Sequence, residues 1–242
     1  MRTSNKILAI TLITGLLIIT GIHLALYAKY KNKEFVTMKY LHEERYNSFL
    51  LPGVQSVSLS GLQNVTIIPS DTAKLEIEKN GPRKLVHEFI NGILTIKGDT
   101  TIISNTGVAE KQRSWQNVVI YLPANQVVKS DDCEITFHGA TDSLKAPSVT
   151  AEMNNTTLQF GRGEYNNNVP ANYFNRILLT KYSHGSLNVS QSVLVKEMNV
   201  DMDSSSFEDN DASFGGIVIN ADSSTTIKQS GRNIAKTKFT LK

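Results

Sequence analysis

The stretch that decides the fold lies near the C-terminus and reads Ser204-Ser205-Ser206-Phe207-Glu208-Asp209. Small polar residues lead into one apolar side chain, and the same pattern surrounds Leu187 and Ile227. These three apolar residues follow one another at intervals of 20 residues. A repeat of this length with short strands predicts a β-solenoid, in which the apolar side chains of successive repeats stack inside. Phe207 is therefore expected in the core, whereas Ser205 is expected to tolerate substitution.

The pattern extends upstream with one irregular step. Leu158 precedes Leu187 by 29 residues, and extra residues within 161–175 explain the longer interval. The glycines, asparagines and proline of this segment oppose regular strand pairing, so it is predicted to leave the repeat as a loop. A two-sheet β-sandwich is the alternative fold, because it explains the alternation of apolar and polar residues but not the 20-residue spacing.

Apolar and polar residues alternate through most of residues 53–242, which is the mark of strands with one buried face. The segments Leu75-Glu76-Ile77 and Val118-Val119-Ile120 are examples. The expected fold is therefore all-β. The single cysteine, Cys133, stands at the start of such a strand, and we expect a small buried side chain there instead of a nucleophile.

An apolar run without charged side chains, residues 7–26, precedes the β region. At about 1.5 Å per residue, a helix of this length spans a bilayer core of about 30 Å. A cleaved signal peptide is the alternative, but Leu26 is too large for the small-residue pattern that would end at Ala28. Lysines lie on both sides of the run, so charge alone does not fix the orientation.

This run predicts an uncleaved membrane anchor, with the large domain on the extracytoplasmic side of an inner membrane. The predicted organisation is a short cytoplasmic tail at residues 1–6, a transmembrane helix at residues 7–26, a juxtamembrane stem at residues 27–52 and a β-solenoid domain at residues 53–242.

Several segments of the β region match one known family. They are Val57-Ser58-Leu59-Ser60-Gly61-Leu62-Gln63-Asn64-Val65-Thr66-Ile67, Asn91-Gly92-Ile93-Leu94-Thr95-Ile96-Lys97 and Val118-Val119-Ile120-Tyr121-Leu122-Pro123. With them, residues 54–242 resemble the DUF2807 domain, also called the auto-transporter adhesin head GIN domain, which is common in Bacteroidota. The resemblance implies a right-handed parallel β-helix at the cell envelope and supplies no catalytic residues.

Charge and side-chain chemistry argue against several functions. The net charge is +3, and no concentrated basic stripe of the kind that binds nucleic acid is present. The acidic segment from Asp201 to Asp211 lacks the glycine and the closing glutamate of a calcium loop, and the histidines have no metal-ligand spacing. Polysaccharide-cleaving enzymes need clustered carboxylates, and the 20-residue spacing stacks none. We therefore expect no enzyme, no cofactor, no metal and no nucleic-acid partner.

Two predicted loops carry residue types that are favoured at binding hot spots. The candidate partner-binding residues are Arg162, Tyr165, Tyr173 and Phe174 in the first loop, and Arg113 and Trp115 in the second loop at residues 104–115. Loops on a rigid scaffold often carry recognition, so the expected partner is an envelope protein or a glycan. The alternative is that these aromatic residues cover the β wall or cap its end.

The leading functional prediction is a membrane-anchored, non-catalytic binding, adhesive or scaffolding surface of the cell envelope. A membrane-tethered sensory or stress-response module is one alternative, and a glycan-active β-helix enzyme is another. Triplets that begin at Asp71, Asp99 and Asp142 resemble a bacterial O-glycosylation signal, and the sequence leaves that modification open.

Overall fold

The computed structural model describes residues 3–32, 44–80, 85–99, 101–103, 109–111, 113–161 and 171–242. The chain divides into two compact units, residues 1–44 and residues 45–242. Two of the predicted binding residues, Arg162 and Tyr165, lie outside the described residues.

The first unit contains one long helix, α1 (Thr3–Lys31). Its segment Ile10–Lys31 is long and apolar enough to cross a membrane, and none of that segment is buried. A signal sequence near an N-terminus has the same length and composition. The helix therefore supports a segment that inserts into a membrane, whether as an anchor or as a signal sequence.

The second unit is all-β and of sandwich type, with two large mixed sheets. Sheet A contains, from one edge to the other, β1 (Tyr46–Leu50), β4 (Lys74–Glu78), β9 (Val118–Leu122), β3 (Val65–Pro69), β11 (Glu134–Phe137), β13 (Thr157–Phe160), β15 (Ser186–Val189), β17 (Ser206–Glu208) and β19 (Thr226–Lys228). Sheet B contains, from one edge to the other, β20 (Thr237–Leu241), β18 (Ser213–Ala221), β16 (Val193–Asp203), β14 (Asn172–Ser183), β12 (Ser148–Asn154), β10 (Val127–Asp131), β2 (Ser56–Ser60), β6 (Ile93–Gly98) and β5 (Leu85–Ile90).

The described residues of the unit also form four smaller elements. Strands β7 (Thr101–Ile103) and β8 (Ala109–Lys111) pair with each other in antiparallel orientation. A 3₁₀ helix spans Ser143–Lys145, and a short helix, α2 (Gly231–Ile234), precedes β20.

From β10 onward the chain alternates between the two sheets, and each strand pairs in parallel with the next strand of its own sheet. One strand of sheet B followed by one strand of sheet A is called here a two-strand repeat. Successive repeats lie side by side. Among the described strands of the two large sheets, antiparallel pairs involve only β1, β4, β5, β6 and β9, at the opposite end of the unit.

The predicted apolar ladder is confirmed by the pairing register of sheet A. Leu158 pairs with Leu187, Leu187 with Phe207, and Phe207 with Ile227. The first three side chains are buried, and Ile227 is partly buried against the same core. Because side chains alternate between the two faces of a strand, this register keeps equivalent positions inside, where the apolar residues of both sheets form one core.

The β unit begins earlier than the sequence predicted. Strand β1 lies in the segment that was assigned to the stem, and it pairs with β4 at the edge of sheet A. Arg45 Nε donates to Glu78 Oε1 at 2.9 Å, and Leu51 is buried in the core. Tyr46 and Phe49, two of the aromatic residues in the predicted stem, are side chains of this edge strand.

One corner of the successive repeats is built from residues with a left-handed backbone. Gly61, Asp132, Asn155, His184 and Ser204 occupy this corner, with φ angles from 45° to 66°. The main-chain N–H of each of the first four donates to a carbonyl in the adjacent repeat at 2.9–3.1 Å. Glycine adopts this conformation freely, and aspartate and asparagine tolerate it better than most residues. The corner therefore explains why polar residues precede each apolar position of the sequence repeat.

The residue after each corner points inward and closes the turn. Cys133 Sγ, Thr156 Oγ1 and Ser205 Oγ each donate to the main-chain oxygen two residues earlier. Gly185 has no side chain at this position, because a Cβ there would lie 2.6 Å from the hydroxyl oxygen of Tyr182. Because the hydroxyl of Ser205 is buried and hydrogen-bonded, the structure predicts that its substitution is costly, which differs from the prediction made from the sequence.

Replacing Phe207 with alanine should destabilise the β unit by about 3–5 kcal/mol, because it removes a fully buried ring from the ladder. Ser206→Ala is the matched control on the outward side of the same strand and should change stability by less than about 0.5 kcal/mol. Ser205→Ala should fall between them, at about 1–3 kcal/mol, because it leaves buried groups without a partner. Urea denaturation followed by circular dichroism measures all three, and equal losses for Phe207 and Ser206 would contradict the ladder.

Candidate binding surface

The outward side chains of sheet A form two rows of mostly uncharged polar residues. The register places Thr66, Thr136, Gln159 and Asn188 in one row, and Thr157, Ser186, Ser206 and Thr226 in the other. These eight residues are called the polar face below. Neighbouring strands lie about 4.8 Å apart, so hydroxyl and amide groups recur at that spacing along each row.

Charged residues border the polar face. Glu208 and Lys228 extend the first row, and their Oε1 and Nζ atoms are 2.5 Å apart. Glu134 precedes Thr157 in the second row. The opposite charges of Glu208 and Lys228 offset each other, so this pair adds no net charge at the border of the polar face.

The outward side of sheet B has a different chemistry. Lys129 and Glu152 lie next to each other in register, with Nζ and Oε2 2.9 Å apart. Lys242 Nζ donates to the carboxylates of Asp201 and Asp203. Charged pairs lie on this side of the unit together with uncharged residues such as Thr150 and Asn199, whereas the polar face consists of hydroxyl and amide groups alone.

Trp115 lies three residues before β9, the strand that pairs with β3, and β3 carries Thr66 of the polar face. Its side chain is 51% exposed, while the neighbouring Ser114 and Gln116 are buried. The backbone is held in place, because Ser114 forms a bridge with Leu62 and the main-chain oxygen of Trp115 accepts from Asn64 Nδ2 at 3.5 Å. A fixed backbone with an accessible indole is a suitable arrangement for binding.

Arg113, the neighbour that the sequence grouped with Trp115, ties two corners together. Its Nε donates to Asp132 Oδ1 at 3.1 Å, and its Nη2 donates to the main-chain oxygen of Asn155 at 2.9 Å. Asp132 Oδ1 also accepts from Asn155 Nδ2 at 3.0 Å. The guanidinium therefore fixes the segment that carries Trp115.

Tyr173 and Phe174 lie in β14 and not in a loop, so the loop prediction is wrong for residues 172–175. Phe174 is 2% exposed, and its ring meets Phe160 edge-on with centroids 5.3 Å apart. Tyr173 is partly buried, and its main chain exchanges hydrogen bonds with Ala140. Phe174 thus belongs to the core, as the alternative interpretation of the aromatic residues predicted.

Cys133 is a core residue, as the sequence predicted. Its side chain is fully buried, and burial raises the pKa of the thiol to about 11. Sγ donates to the main-chain oxygen of Asp131 at 3.3 Å. At neutral pH the thiol is therefore protonated and enclosed.

Several acidic residues near the C-terminus contact other groups of the protein, and Asp201 and Asp203 share Lys242. Within the described residues, no group of three or more His, Cys, Asp and Glu side chains could hold a metal ion. Asp209 is buried, and its Oδ2 accepts from the Ser230 main-chain N–H at 3.0 Å and from Asn233 Nδ2 at 2.8 Å. It therefore joins the end of sheet A to helix α2.

A small apolar cavity opens beside the ends of β3, β11 and β12. Its volume is about 30 Å³, and its lining includes Ile67, Leu122, Val128, Phe137 and His138. Pockets for organic ligands typically have volumes of about 300–1,000 Å³. The cavity is therefore too small for such a ligand, and the outer faces of the sheets offer the larger surface.

No protein-family model matches the chain, and no curated protein matches it. A provisionally named adhesin from Parabacteroides distasonis is 11% identical, with a TM-score of 0.41, and the match covers 81% of this chain and 93% of that chain. A provisionally named adhesin from Parabacteroides merdae is 9% identical, with a TM-score of 0.38, covering 81% and 94%.

A third solved structure, a provisionally named lipid-binding protein from Parabacteroides distasonis, is 12% identical with a TM-score of 0.39, and the match covers 75% of this chain and 80% of that chain. Likeness at this level carries no argument about fold or function. The resemblance to the DUF2807 domain therefore stays a prediction.

Cys133 in the folded protein should resist alkylation by iodoacetamide at about pH 8, because only a thiolate attacks the reagent and displaces its iodide, and this thiol is protonated and buried. Labelling should become complete once urea unfolds the chain. Leu144→Cys is the control, since Leu144 is 94% exposed and a thiol there should react in the folded state. Mass spectrometry of intact protein counts the labels, and labelling of folded wild-type protein at the rate of the control would contradict the burial of Cys133.

Proposed function

We propose that this protein is a membrane-tethered, non-catalytic binding protein whose β unit is an adhesive or scaffolding surface of the cell envelope. The polar face carries the proposal, since it presents uncharged hydrogen-bonding groups in two regular rows beside the exposed Trp115. Repeated weak contacts at fixed spacing give avidity without a deep pocket. The β unit is placed on the extracytoplasmic side of the membrane in this proposal.

A neutral glycan is the partner that fits the polar face best. Serine and threonine hydroxyls donate and accept hydrogen bonds, and asparagine and glutamine amides do both as well. A sugar chain presents the same mixture of donors and acceptors without charge. The C–H face of a sugar ring also packs well on an indole, which Trp115 supplies at the border of the polar face.

We further propose that the two-strand repeats form one continuous winding, a right-handed parallel β-helix of the kind that the DUF2807 resemblance implies. Parallel pairing of successive repeats, the 20-residue spacing and the single core support this winding. Antiparallel hairpins, which build most sandwiches, would not give this pairing.

Helix α1 supports the proposed tether, because its apolar segment is long enough for a bilayer. The full-length chain should stay in the membrane fraction after washing with alkaline carbonate. Removal of residues 1–33 should release the β unit into the soluble fraction, and a folded circular-dichroism spectrum serves as its control. Mature protein that begins near Lys29 would show a cleaved signal sequence and contradict the tether.

Binding can be tested with the full-length chain in lipid nanodiscs and a soluble neutral glucan, hydroxyethyl cellulose. The double variant Gln159→Ala/Asn188→Ala should bind about tenfold more weakly, because each lost hydrogen bond is worth about 0.5–1.5 kcal/mol. Thr150→Ala/Asn199→Ala is the matched control on the outward side of sheet B. Tryptophan fluorescence reports the binding, since Trp115 is the only tryptophan.

Equal affinities of the two double variants would contradict the role of the polar face. Preferential binding of an anionic polysaccharide, such as polygalacturonate, would contradict the neutral partner while leaving an adhesive role intact. If the wild-type chain retains neither a glycan nor an envelope protein, the proposed function as a whole is contradicted.

A further inference from the structure

The C-terminal edge of sheet B leaves part of the apolar core open. Strand β20 continues the register of the inward ladder, with Phe239 paired to Ile219 and Leu241 paired to Ala221. Ile219 and Ala221 are buried, but Phe239 is 53% exposed and Leu241 is 74% exposed. The outermost rung of the described core therefore faces solvent with large apolar side chains.

The main chain of β20 is paired on one side. Lys242 N donates to Ala221 O at 3.0 Å, and Lys236 O accepts from Ile217 N at 3.2 Å. Because hydrogen-bonding directions alternate along a strand, the even-numbered residues of β20 bond to β18. The N–H and C=O groups of Thr237, Phe239 and Leu241 then point away from the sheet. An edge of this kind is a template for another strand.

We propose that a second copy of this chain docks on β20 by antiparallel strand pairing, with Phe239 opposite its own equivalent. This pairing has two-fold symmetry, so one surface serves both copies. It places Thr237 opposite Leu241 on the inward side and Lys238 opposite Thr240 on the outward side. Within β20 no like charges face each other, and the two Phe239 rings close the open rung; just beyond its ends, Lys236 lies opposite Lys242 of the second copy. The inference is independent of the polar face.

The other cations near this edge are compatible with a close approach of two copies. Lys242 is paired with Asp201 and Asp203, and Lys236 Nζ donates to the main-chain oxygen of Phe214 at 2.7 Å. Lys238 is left to face a threonine in the proposed register. Where Lys236 lies opposite Lys242 of the second copy, the two carboxylates bound to Lys242 offset its charge and reduce the repulsion.

An anionic membrane is the other occupant that apolar side chains with nearby lysines would fit. Lipid offers no hydrogen bonds to the outward N–H and C=O groups of Phe239 and Leu241, and open sheet edges are therefore not found in the hydrocarbon region. A paired strand satisfies those groups and covers the same side chains. The geometry of β20 favours a second copy for this reason.

Thiol cross-linking of the full-length chain in nanodiscs or detergent tests the proposed register. Phe239→Cys should give about tenfold more dimer with the short reagent dibromobimane than Leu241→Cys, because directly opposite Cβ atoms are about 4.5–5.5 Å apart. Leu241 is the more exposed of the two, so simple accessibility predicts the reverse order. Thr237→Cys/Leu241→Cys should cross-link as well as Phe239→Cys. The native Cys133 is buried and should not contribute.

Light scattering gives a second measurement without cross-linking. The wild-type chain should be dimeric, and Phe239→Asp should be monomeric with an unchanged circular-dichroism spectrum, because Phe239 is already half exposed. Equal cross-linking at positions 239 and 241, or a monomeric wild-type chain, would overturn the proposal. A third result would also overturn it: a monomeric chain that binds liposomes of anionic lipid and loses this binding in Phe239→Asp. That result would assign this edge to the membrane.

Discussion

The fixed register between neighbouring two-strand repeats is the constraint on which the rest of this structure depends. A shift by one residue would turn every inward side chain outward, so burial of the ladder through Leu158, Leu187 and Phe207 requires these residues to stay in register on the inner face. The outer surface follows from the same register. Because Phe207 is buried, Ser206 must face outward and join the row that contains Ser186. The inner ladder therefore determines the spacing and the straightness of the polar face.

The corners show how one repeat can differ from its neighbours without breaking that register. At most corners a small hydroxyl or thiol closes the turn from inside, as Thr156 and Ser205 do. At Gly185 the space is taken by Tyr182, whose hydroxyl donates to the Thr156 main-chain oxygen at 2.7 Å. The ring thus supplies both the volume and the hydrogen bond that the glycine lacks. Each corner is satisfied locally, so variation at one corner does not spread to the next.

The sequence could predict those features that depend on short-range patterns. The all-β class, the ladder and the burial of Cys133 follow from alternation and from the 20-residue spacing. Strand β14 was missed at residues 172–175 because Asn175 and Arg176 are both exposed, which interrupts the alternation of buried and exposed residues. The tie from Arg113 to Asp132 and Asn155 was missed because its partners lie 19 and 42 residues away. No local pattern connects residues at such distances, whereas the pairing of strands brings them together.

The shared register of the repeats also bears on how proteins of this type change over generations. The strands from β15 to β18 repeat the same pairing and the same corner, so an in-frame duplication of one repeat would place matching apolar residues between partners that already fit. Loss of one repeat would join equally compatible neighbours. Both ends of the unit would keep their own strands. Mutation can therefore change the number of two-strand repeats one whole repeat at a time, while the cross-section of the core stays the same.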